Sequence, residues 1–369
     1  MRKALILLTA GAVALPLTAA PAMAADNVTV MTRNVFLGAD LGPALRATGT
    51  GEFIEAAGQI FRQLRSTNFP KRAKGLAQEV QQRKPDLIGL QEVALWRQGP
   101  VNLSAVLTQQ PTATKVYQDF LKILLKEINK GKVKYEVVKV QKEFDFEAPT
   151  DVDGNPATGT SGADKDFRLT MRDVILKKKG SRVKVKDQQG AQYSTKNSFS
   201  VKVAGAVTVT SRRGWLSTRA KVGDSRWFTF ANTHLEAFDD RTQVPSIRAK
   251  QAGEFAKVMA KVKGPLITLG DYNSDVPGLV PGDEQAFQTL TNAGFVDIGT
   301  TTPLSCCIES SDDLQTGGSI ADFDHRVDQI FTTTPKKVKK VKTWVVGREQ
   351  SFGFWHSDHA GVVGRYTLK

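Results

Sequence analysis

Polar side chains suited to metal and phosphate chemistry follow several apolar runs of this sequence. Asn34 comes after VTVMTR, Glu92 after DLIGLQ, and Asp271 and Asn273 after LITLG. Any one of them could belong to an ordinary turn, because Asp, Asn and Gly favour turn conformations. Their number and their types indicate that the strand ends share a site.

Two of the four histidines fall in similar clusters. Asn232 and His234 follow WFTFA, Asp358 and His359 stand just before GVVGRYTL, and Asp328 begins the run DQIF. Carboxylate and amide oxygens are the ligands that Mg²⁺, Mn²⁺ and Ca²⁺ prefer. Histidine titrates near neutral pH, and a carboxylate on its second ring nitrogen fixes its tautomer. Phosphodiester hydrolysis needs such groups to neutralise charge, activate water and help the leaving oxygen.

Strand-like and helical segments alternate in the first part of the chain. The run from Val28 to Phe36 predicts a strand, and helices are predicted over about 43–64, 71–83 and 114–129. Residues 141–166 are polar and rich in Gly, Pro and Asp, which indicates an exposed loop. Further helices are predicted over about 245–261 and 283–293.

Short β-rich segments between residues 168 and 234 indicate antiparallel hairpins. Together with the alternating first part, they predict an α/β protein in which two mixed β-sheets pack face to face with helices outside. We predict one domain over residues 25–369, with a β-rich insertion around 141–225.

The first 24 residues have the features of a secretory signal peptide. Arg2 and Lys3 precede an apolar run that ends in Ala22-Met23-Ala24. This run is short for a bilayer span, and Pro16 interrupts it. No later segment has a long uncharged apolar stretch, so we expect a secreted, soluble protein without a transmembrane segment in the mature chain.

The chain is strongly basic. Its formal charge of +14 falls to +12 when Arg2 and Lys3 leave with the presequence. An excess of this size favours polyanionic partners such as nucleic acid, anionic lipid or cell-wall polymer. The segments KKKGSRVKVK and KKVKKVK, with Arg212 and Arg213, could track a phosphate backbone or could be solvated strand faces.

The two cysteines, Cys306 and Cys307, are adjacent. They could form a vicinal disulfide, stay reduced or bridge two molecules, and the sequence leaves this open. A disulfide framework is excluded. A thiolate zinc site is disfavoured because no second Cys pair or H-x3-5-H motif accompanies them.

Two stretches begin like a calcium loop and then depart from it. An EF-hand loop requires Gly at its sixth position and Glu at its twelfth. The stretch from Asp271 has Val276 and Gly282 there, and the stretch from Asp151 has Pro156 and Gly162. The sequence also lacks a G-x-S-x-G elbow and a P-loop. EF-hand, serine-hydrolase and P-loop interpretations are therefore excluded.

The motifs TRN, LQEV, NTHLE, LGDYN, RVDQIF and SDH occur in this order. The order resembles that of the endonuclease/exonuclease/phosphatase superfamily, which has the deoxyribonuclease I-like fold. The motifs extend from Asn34 to His359, nearly the whole chain after the presequence. Each motif is weak alone, but six in this order are specific for the superfamily and not for its substrate.

The resemblance implies a role for each of ten residues. The implied metal ligands are Glu92, Asn34 and Asp358; the implied catalytic residues are His359, His234, Asp271 and Asp328; the implied phosphate contacts are Asn273, Asn232 and Arg172. His359 would act as general base or stabilise the transition state, with Asp328 orienting it. The implied ion is Mg²⁺, with Mn²⁺ or Ca²⁺ as alternatives. Structural alternatives stay open for several of these residues, such as a turn for Asn34 and a cross-strand ion pair for Arg172.

We expect from this resemblance a secreted, divalent-metal-dependent phosphodiester hydrolase. A nuclease is predicted ahead of a sphingomyelinase or phospholipase C, so nucleic acid is favoured over phospholipid. The phospholipid alternative draws on Phe352, Phe354 and Trp355, which could touch a membrane or pack in the core. An inositol phosphatase ranks third, and a non-catalytic secreted binding protein on the same fold is the alternative outside enzymes.

Overall fold

The structure, a computed structural model, describes most of the chain from residue 27 onward. The described residues are 27–155, 157, 159, 162–180, 182–205, 207–223, 225–239, 242–299, 302–308, 314–315 and 317–368. The predicted signal peptide lies outside them.

Seven α-helices and eighteen β-strands are formed by the described residues. The helices are α1 (Gly42–Arg46), α2 (Thr50–Ser66), α3 (Phe69–Arg83), α4 (Leu103–Thr108), α5 (Phe120–Ile128), α6 (Ile247–Met259) and α7 (Gln285–Asn292). The strands are β1 (Asn27–Asn34), β2 (Leu87–Gln91), β3 (Leu95–Gly99), β4 (Lys115–Asp119), β5 (Tyr135–Thr150), β6 (Lys165–Lys178), β7 (Val183–Gln192), β8 (Phe199–Val203), β9 (Val207–Ser211), β10 (Gly214–Val222), β11 (Phe228–His234), β12 (Leu266–Asp271), β13 (Val296–Asp297), β14 (Asp328–Thr332), β15 (Val338–Val346), β16 (Gln350–Ser351), β17 (Phe354–Trp355) and β18 (Gly361–Leu368).

The first large sheet has the strand order β15-β18-β1-β2-β6-β3-β4, with β5 also paired to β6. Strands β1 and β2 are parallel, and Asn34 pairs with Gln91 where both strands end. Strand β18 runs antiparallel to β1, with Val362 opposite Thr32. The segment that carries His359 therefore enters the sheet at the edge where Asn34 and Glu92 leave it.

The second large sheet has the strand order β13-β14-β12-β11-β10-β7. His234 pairs with Asp271 where the parallel strands β11 and β12 end, and Asp271 pairs with Asp328 at the start of β14. On the other side, Gly214 pairs with His234. This register places His234, Asp271 and Asp328 in one row across the edge of the sheet.

The two sheets pack face to face. Val30 and Leu87 of the first sheet and Phe230 and Ile267 of the second share one buried apolar cluster. Each such side chain contributes about 1.5–3 kcal/mol when it is fully buried. Helices α2, α3 and α5 cover the outer face of the first sheet, and α6 and α7 pack in the cluster on the outer side of the second. The predicted fold class is confirmed.

Two predictions for the middle of the chain are wrong. The helix predicted over 114–129 is strand β4 followed by α5, because residues 115–119 pair with β3 and the Asp119 side chain caps the helix at Lys122 N. The loop predicted over 141–166 is strand through Thr150, because its backbone pairs with β6 while Phe144 and Phe146 pack in an apolar cluster.

The segment predicted as a β-rich insertion, residues 141–225, contributes β6, β7, β10 and most of β5 to the two large sheets. Strands β8 and β9 form a separate hairpin. Phe354 and Trp355 are buried, whereas Phe352 is 46% exposed, so core packing accounts for two of the three aromatic residues near His359. Among the helices of the described residues, none combines the length and apolarity that a membrane span needs.

Candidate active site

The strand ends bring four of the predicted side chains together. Asn34 Nδ2 donates to Asp271 Oδ2 at 3.0 Å. His359 Nδ1 lies 2.9 Å from Asp328 Oδ2, and His359 Nε2 lies 3.6 Å from Asp271 Oδ2. The four residues come from β1, β12, β14 and the segment before β18, so both sheets build the site.

His359 is an imidazole held among carboxylates. It is 5% exposed, and Ser305 Oγ donates to Asp328 Oδ2 at 2.9 Å, which fixes the carboxylate that faces Nδ1. Burial opposes a charged ring, but Asp328, Asp271 and Asp358 outweigh it and raise the pKa of His359 well above its ordinary value. With Nδ1 directed at Asp328, Nε2 is the nitrogen that can exchange a proton with a reactant.

Glu92 and Asp358 line one pocket at this edge. The backbone N–H of Leu37 donates to Glu92 Oε2 at 2.8 Å. Burial raises the pKa of Glu92, and the charge of Asp358 raises it further. Glu92 and Asn273 both have positive φ angles, 57° and 46°, a backbone strain of about 1–3 kcal/mol each that is often found at functional sites.

The donor set at this pocket fits a divalent cation. Behind the pocket lining, neither side-chain oxygen of Asp173 near Glu92 has a hydrogen-bond partner, and the same holds for Glu143 near Arg213. The guanidinium of Arg213 lies among Glu92, Asp173 and Glu143. Carboxylates that repel one another in a pocket are the hard oxygen ligands that Mg²⁺ and Ca²⁺ take. The predicted ligand Asn34 also fits at this edge, although its Oδ1 already accepts from Phe36 N at 2.9 Å.

Two predicted residues make contacts inside the protein rather than along the pocket. Asn232 Nδ2 donates to Leu90 O at 3.1 Å, and Asn232 Oδ1 accepts from Gln91. Arg172 donates to Val93 O at 2.9 Å and pairs with Asp119 at 2.6 Å, so it supports the chain just after Glu92. The predicted phosphate contacts of Asn232 and Arg172 stay predictions.

His234 is fully buried behind Asp271. Its Nε2 lies 3.6 Å from Asp271 Oδ2, its Nδ1 lies 3.9 Å from Asp173 Oδ1, and Arg213 Nη1 lies 3.1 Å from Nδ1. Burial and the charge of Arg213 lower the pKa of His234 well below its ordinary value, so the ring is neutral. Its predicted catalytic role stays a prediction.

Asn273 contacts Asp271 through its backbone. Its backbone N–H donates to Asp271 Oδ1 at 2.9 Å, and its Nδ2 donates to Leu235 O at 2.9 Å. The first contact holds the Asp271 carboxylate in place. A contact between Asn273 and phosphate stays a prediction.

Arg213 is the site residue that the sequence did not single out, since it was considered only as part of a basic segment. It lines the pocket with Glu92 and Asp358 and lies 3.6 Å from Glu236 Oε1. Burial works against its charge, but the carboxylates of Glu236, Glu92, Asp173 and Glu143 keep its pKa raised. Its position just before β10, which pairs with the His234 end of β11, is the signal that could have identified it.

The adjacent cysteines are joined in a vicinal disulfide. Cys306 Sγ lies 3.6 Å and Cys307 Sγ 3.9 Å from His359 Nε2. The pair therefore lies beside Nε2, on the side of the imidazole that faces away from Asp328.

The pocket beside Glu92 is mostly apolar away from its charged end. It has a volume of about 200 Å³, and Phe36, Phe144, Phe199 and Phe238 line it. A second, almost wholly apolar cleft of about 70 Å³ shares Phe144 with it. A phosphate at Glu92 would thus have apolar surface beside it.

The fold that carries these strand-end residues matches that of solved structures. The chain has the deoxyribonuclease I-like fold of endonuclease/exonuclease/phosphatase proteins, and the resemblance predicted from sequence is confirmed at the level of the fold. No family model matches the sequence, and no curated protein matches it.

Three solved structures illustrate the match. An endonuclease/exonuclease/phosphatase family protein from Bacteroides thetaiotaomicron has a TM-score of 0.53 and 15% identity over 94% of this chain and 99% of its own. A mannosyl-6-phosphatase from the same organism has a TM-score of 0.50 and 16% identity over 92% and 100%. A humanized variant of D. rerio TDP2 has a TM-score of 0.50 and 15% identity over 92% and 99%. At these identities the likeness establishes the fold.

Proposed function

We propose that this protein is a divalent-metal-dependent phosphodiester hydrolase. The observation that carries the proposal is the juxtaposition of the Asp328–His359–Asp271 set with Glu92 and Asp358, at the common edge of two packed sheets. Hydrolysis needs a base for water and positive charge near the phosphoryl oxygens. Both requirements have candidates within this one site.

Water activation, water orientation and charge neutralisation each fall to a residue with matching contacts. The bond from phosphorus to the leaving oxygen breaks as the bond to water forms, and the leaving oxygen departs as the anion or takes a proton from solvent. His359 Nε2 takes the proton of the attacking water while Asp328 stabilises the imidazolium that forms. Asp271, held by Asn34 and by the Asn273 amide, orients that water. Arg213 faces the pocket and supplies positive charge to a phosphoryl oxygen. A cation held by Glu92 and Asp358 would neutralise charge on the phosphate.

The first test uses bis-p-nitrophenyl phosphate. We expect cleavage with Mg²⁺, Mn²⁺ or Ca²⁺ that EDTA abolishes, and a loss of at least about 100-fold in kcat/KM for His359→Ala. Glu92→Gln should raise the metal concentration needed for half-maximal rate. Glu349→Gln, which changes an exposed acid that does not line the pocket, is the matched control. A wild-type protein without metal-dependent cleavage would overturn the proposal, and so would a fully active His359→Ala variant.

The net positive charge of the chain makes nucleic acid the first candidate substrate class. Its support is weaker than the sequence indicated, because the two basic segments lie away from the site. Lys177 pairs with Leu87 at the start of β2, and Val338 pairs with Leu368 at the end of β18. Glu92 and His359 stand at the opposite ends of those strands.

The apolar pocket favours a second candidate, a phospholipid or sphingomyelin-type phosphodiester. An amphiphilic phosphodiester fits a pocket that has apolar surface next to charged residues. Its acyl groups can pack on the apolar surface, away from water, while its phosphate reaches Glu92. Phe199 lines the pocket, and its ring is tilted by 37° against that of Phe238, with 6.0 Å between the ring centroids. We expect Phe199→Ala to raise KM for such a lipid and to leave KM for a small phosphodiester unchanged.

A parallel assay on plasmid DNA, RNA and sphingomyelin vesicles separates the two classes. A phosphomonoester belongs in the same assay, because one protein of this fold is a mannosyl-6-phosphatase. Cleavage of nucleic acid without lipid cleavage would reject the lipid candidate, and the reverse would reject the nuclease. We also propose secretion, on the signal-peptide features of residues 1–24. Detection of a shortened chain in the medium of expressing cells would test it.

A further inference from the structure

The turn between β5 and β6 brings together three aspartates that the active site does not use. One carboxylate oxygen from each of Asp151, Asp153 and Asp164 lies within 4.8 Å of the others. The backbone N–H of Asp164 donates to Thr150 O at 3.0 Å and closes the base of the loop. Asp151 and Asp164 therefore face each other across the loop, although thirteen positions separate them in sequence.

Backbone amides hold two of these carboxylates in a fixed orientation. Asp151 Oδ1 accepts from Gly154 N at 2.8 Å and from Asn155 N at 3.1 Å. Asp164 Oδ2 accepts from Val152 N at 2.9 Å. Each of these two carboxylates thus has one oxygen committed to shaping the loop.

The second carboxylate oxygen of Asp151 is buried and has no hydrogen-bond partner. Asp151 is only 1% exposed, and its Oδ2 makes no hydrogen bond. The nearby guanidinium of Arg62 is engaged elsewhere, donating to the carbonyl oxygen of Asp151 at 2.9 Å and pairing with Glu55 at 2.7 Å. A buried anionic oxygen without a donor, beside two more carboxylates, is unfavourable unless a cation is bound.

We propose that Asp151, Asp153 and Asp164 form a calcium site distinct from the active site. The EF-hand spacing fails in this stretch, and the structure supplies the distant carboxylate through Asp164, at the fourteenth position of the loop. Ca²⁺ suits the site because it accepts an irregular set of oxygen ligands, whereas Mg²⁺ demands a nearly ideal octahedron. This inference is independent of the proposed hydrolase activity.

The position of the loop gives the ion a structural consequence. Ala148 and Thr150, just before the loop, line the apolar cleft that continues from the active-site pocket. The loop also rests on α2, since Asp151 N donates to Ile54 O at 3.5 Å and Arg62 of the same helix holds its carbonyl. Calcium bound here would fix one wall of that cleft.

The test measures calcium binding with the active-site ligands removed. In a Glu92→Gln, Asp358→Asn background, we expect one Ca²⁺ per chain by titration calorimetry, and a Tm that rises with the logarithm of Ca²⁺ concentration. Mg²⁺ at the same concentration should give a much smaller shift. Adding Asp151→Asn or Asp164→Asn should abolish both signals. Adding Asp187→Asn, which removes an exposed acid on β7, should change neither.

The stability without calcium separates a ligand from a merely structural carboxylate. Asp151→Asn keeps an acceptor for the loop amides and removes repulsion, so its Tm in EDTA should equal or exceed that of the background protein. A background protein without a calcium-dependent Tm shift would overturn the site, as would an Asp151→Asn variant that retains the full shift. If Asp151→Asn does not fold, Asp164→Asn gives the same decision.

Discussion

His359 combines a fixed tautomer with a high affinity for its proton, and both come from the same carboxylates. Asp328 lies 2.9 Å from Nδ1, and Asp271 lies 3.6 Å from Nε2. Oxygen atoms at these distances stabilise the imidazolium that forms when the ring accepts a proton. The same contacts keep the ring protonated up to a higher pH. The population of neutral His359, the form that can act as a base, therefore increases as the pH rises.

Asp328→Asn should move the pH dependence of the rate. Asp328 raises the pKa of His359, so its removal lowers that pKa and makes the neutral base available at lower pH. We expect the acidic limb of the kcat/KM profile to shift to lower pH, while the maximum falls roughly 10-fold or more because the tautomer is no longer fixed. An acidic limb that stays in place, with an alkaline limb that moves down, would show that His359 acts as a cation and not as a base.

At the scale of elements, one buried network joins helix α3 to the two segments that carry the site. Glu79 of α3 pairs with Arg33 of β1 at 2.9 Å and with His356 Nδ1 at 2.6 Å. Arg33 also donates from Nη1 to the carbonyl oxygen of His359. His356, which the sequence left without a role, thus helps to hold the segment that carries His359.

Glu79→Gln should destabilise the protein at neutral pH. Breaking a buried ion pair by removing one partner costs about 3–5 kcal/mol, which urea unfolding at pH 7 would measure. Burial disfavours the charged carboxylate, but Arg33 and His356 outweigh it and lower the pKa of Glu79. The stability that the Glu79 carboxylate contributes is therefore fully present at pH values above the ordinary pKa of a glutamic acid. It is lost as the pH falls through the lowered pKa of Glu79.

The difference in free energy of unfolding between wild type and Glu79→Gln should accordingly become smaller at acidic pH. Glu55→Gln is the matched control, since Glu55 forms a partly exposed pair with Arg62 on α2. Such a pair is worth about 0–1 kcal/mol. A Glu79→Gln protein as stable as the Glu55→Gln control at pH 7 would contradict the role of the network.

Across the whole molecule, the basic residues considered for substrate binding fall into two groups, a buried arginine in the pocket and lysine segments far from it. Arg213 lies in the active-site pocket, 2% exposed. The lysine segments lie at the ends of β2 and β18 that are farthest from the site, roughly 13 Å or more along the strands. Net charge can still attract a polyanion to the surface, but these lysines do not border the pocket.

Replacing Lys336, Lys337 and Lys339 by Gln should leave catalysis nearly unchanged. Charges separated by more than about 8 Å are largely screened at physiological ionic strength, so we expect kcat/KM at that salt to change by less than about 2-fold. Arg213→Lys, which keeps the charge and loses the planar fork, should lower kcat/KM more than the triple lysine variant does. A large loss of kcat/KM in the triple lysine variant would mean that the substrate extends over the end of the sheets that is far from the site.

The sequence by itself determined which residues end the strands and in what order they come. Asn34, Glu92, Asp271 and His359 follow or precede apolar runs because the side-chain period of a strand and the chemistry of turns are local properties. The face-to-face sheets could be predicted for the same reason. Helix and loop predictions failed at residues 114–119 and 141–150, where pairing with β3 and β6 overrides local composition.

Only the tertiary structure decided which polar groups meet. Arg213 enters the site because Gly214 pairs with His234, and Arg172 instead supports the chain after Glu92 through the carbonyl of Val93. Glu79 and Asp164 owe their roles to contacts across long separations in sequence. Strand register and helix packing bring such residues together, and neither is encoded in the residues that surround them locally.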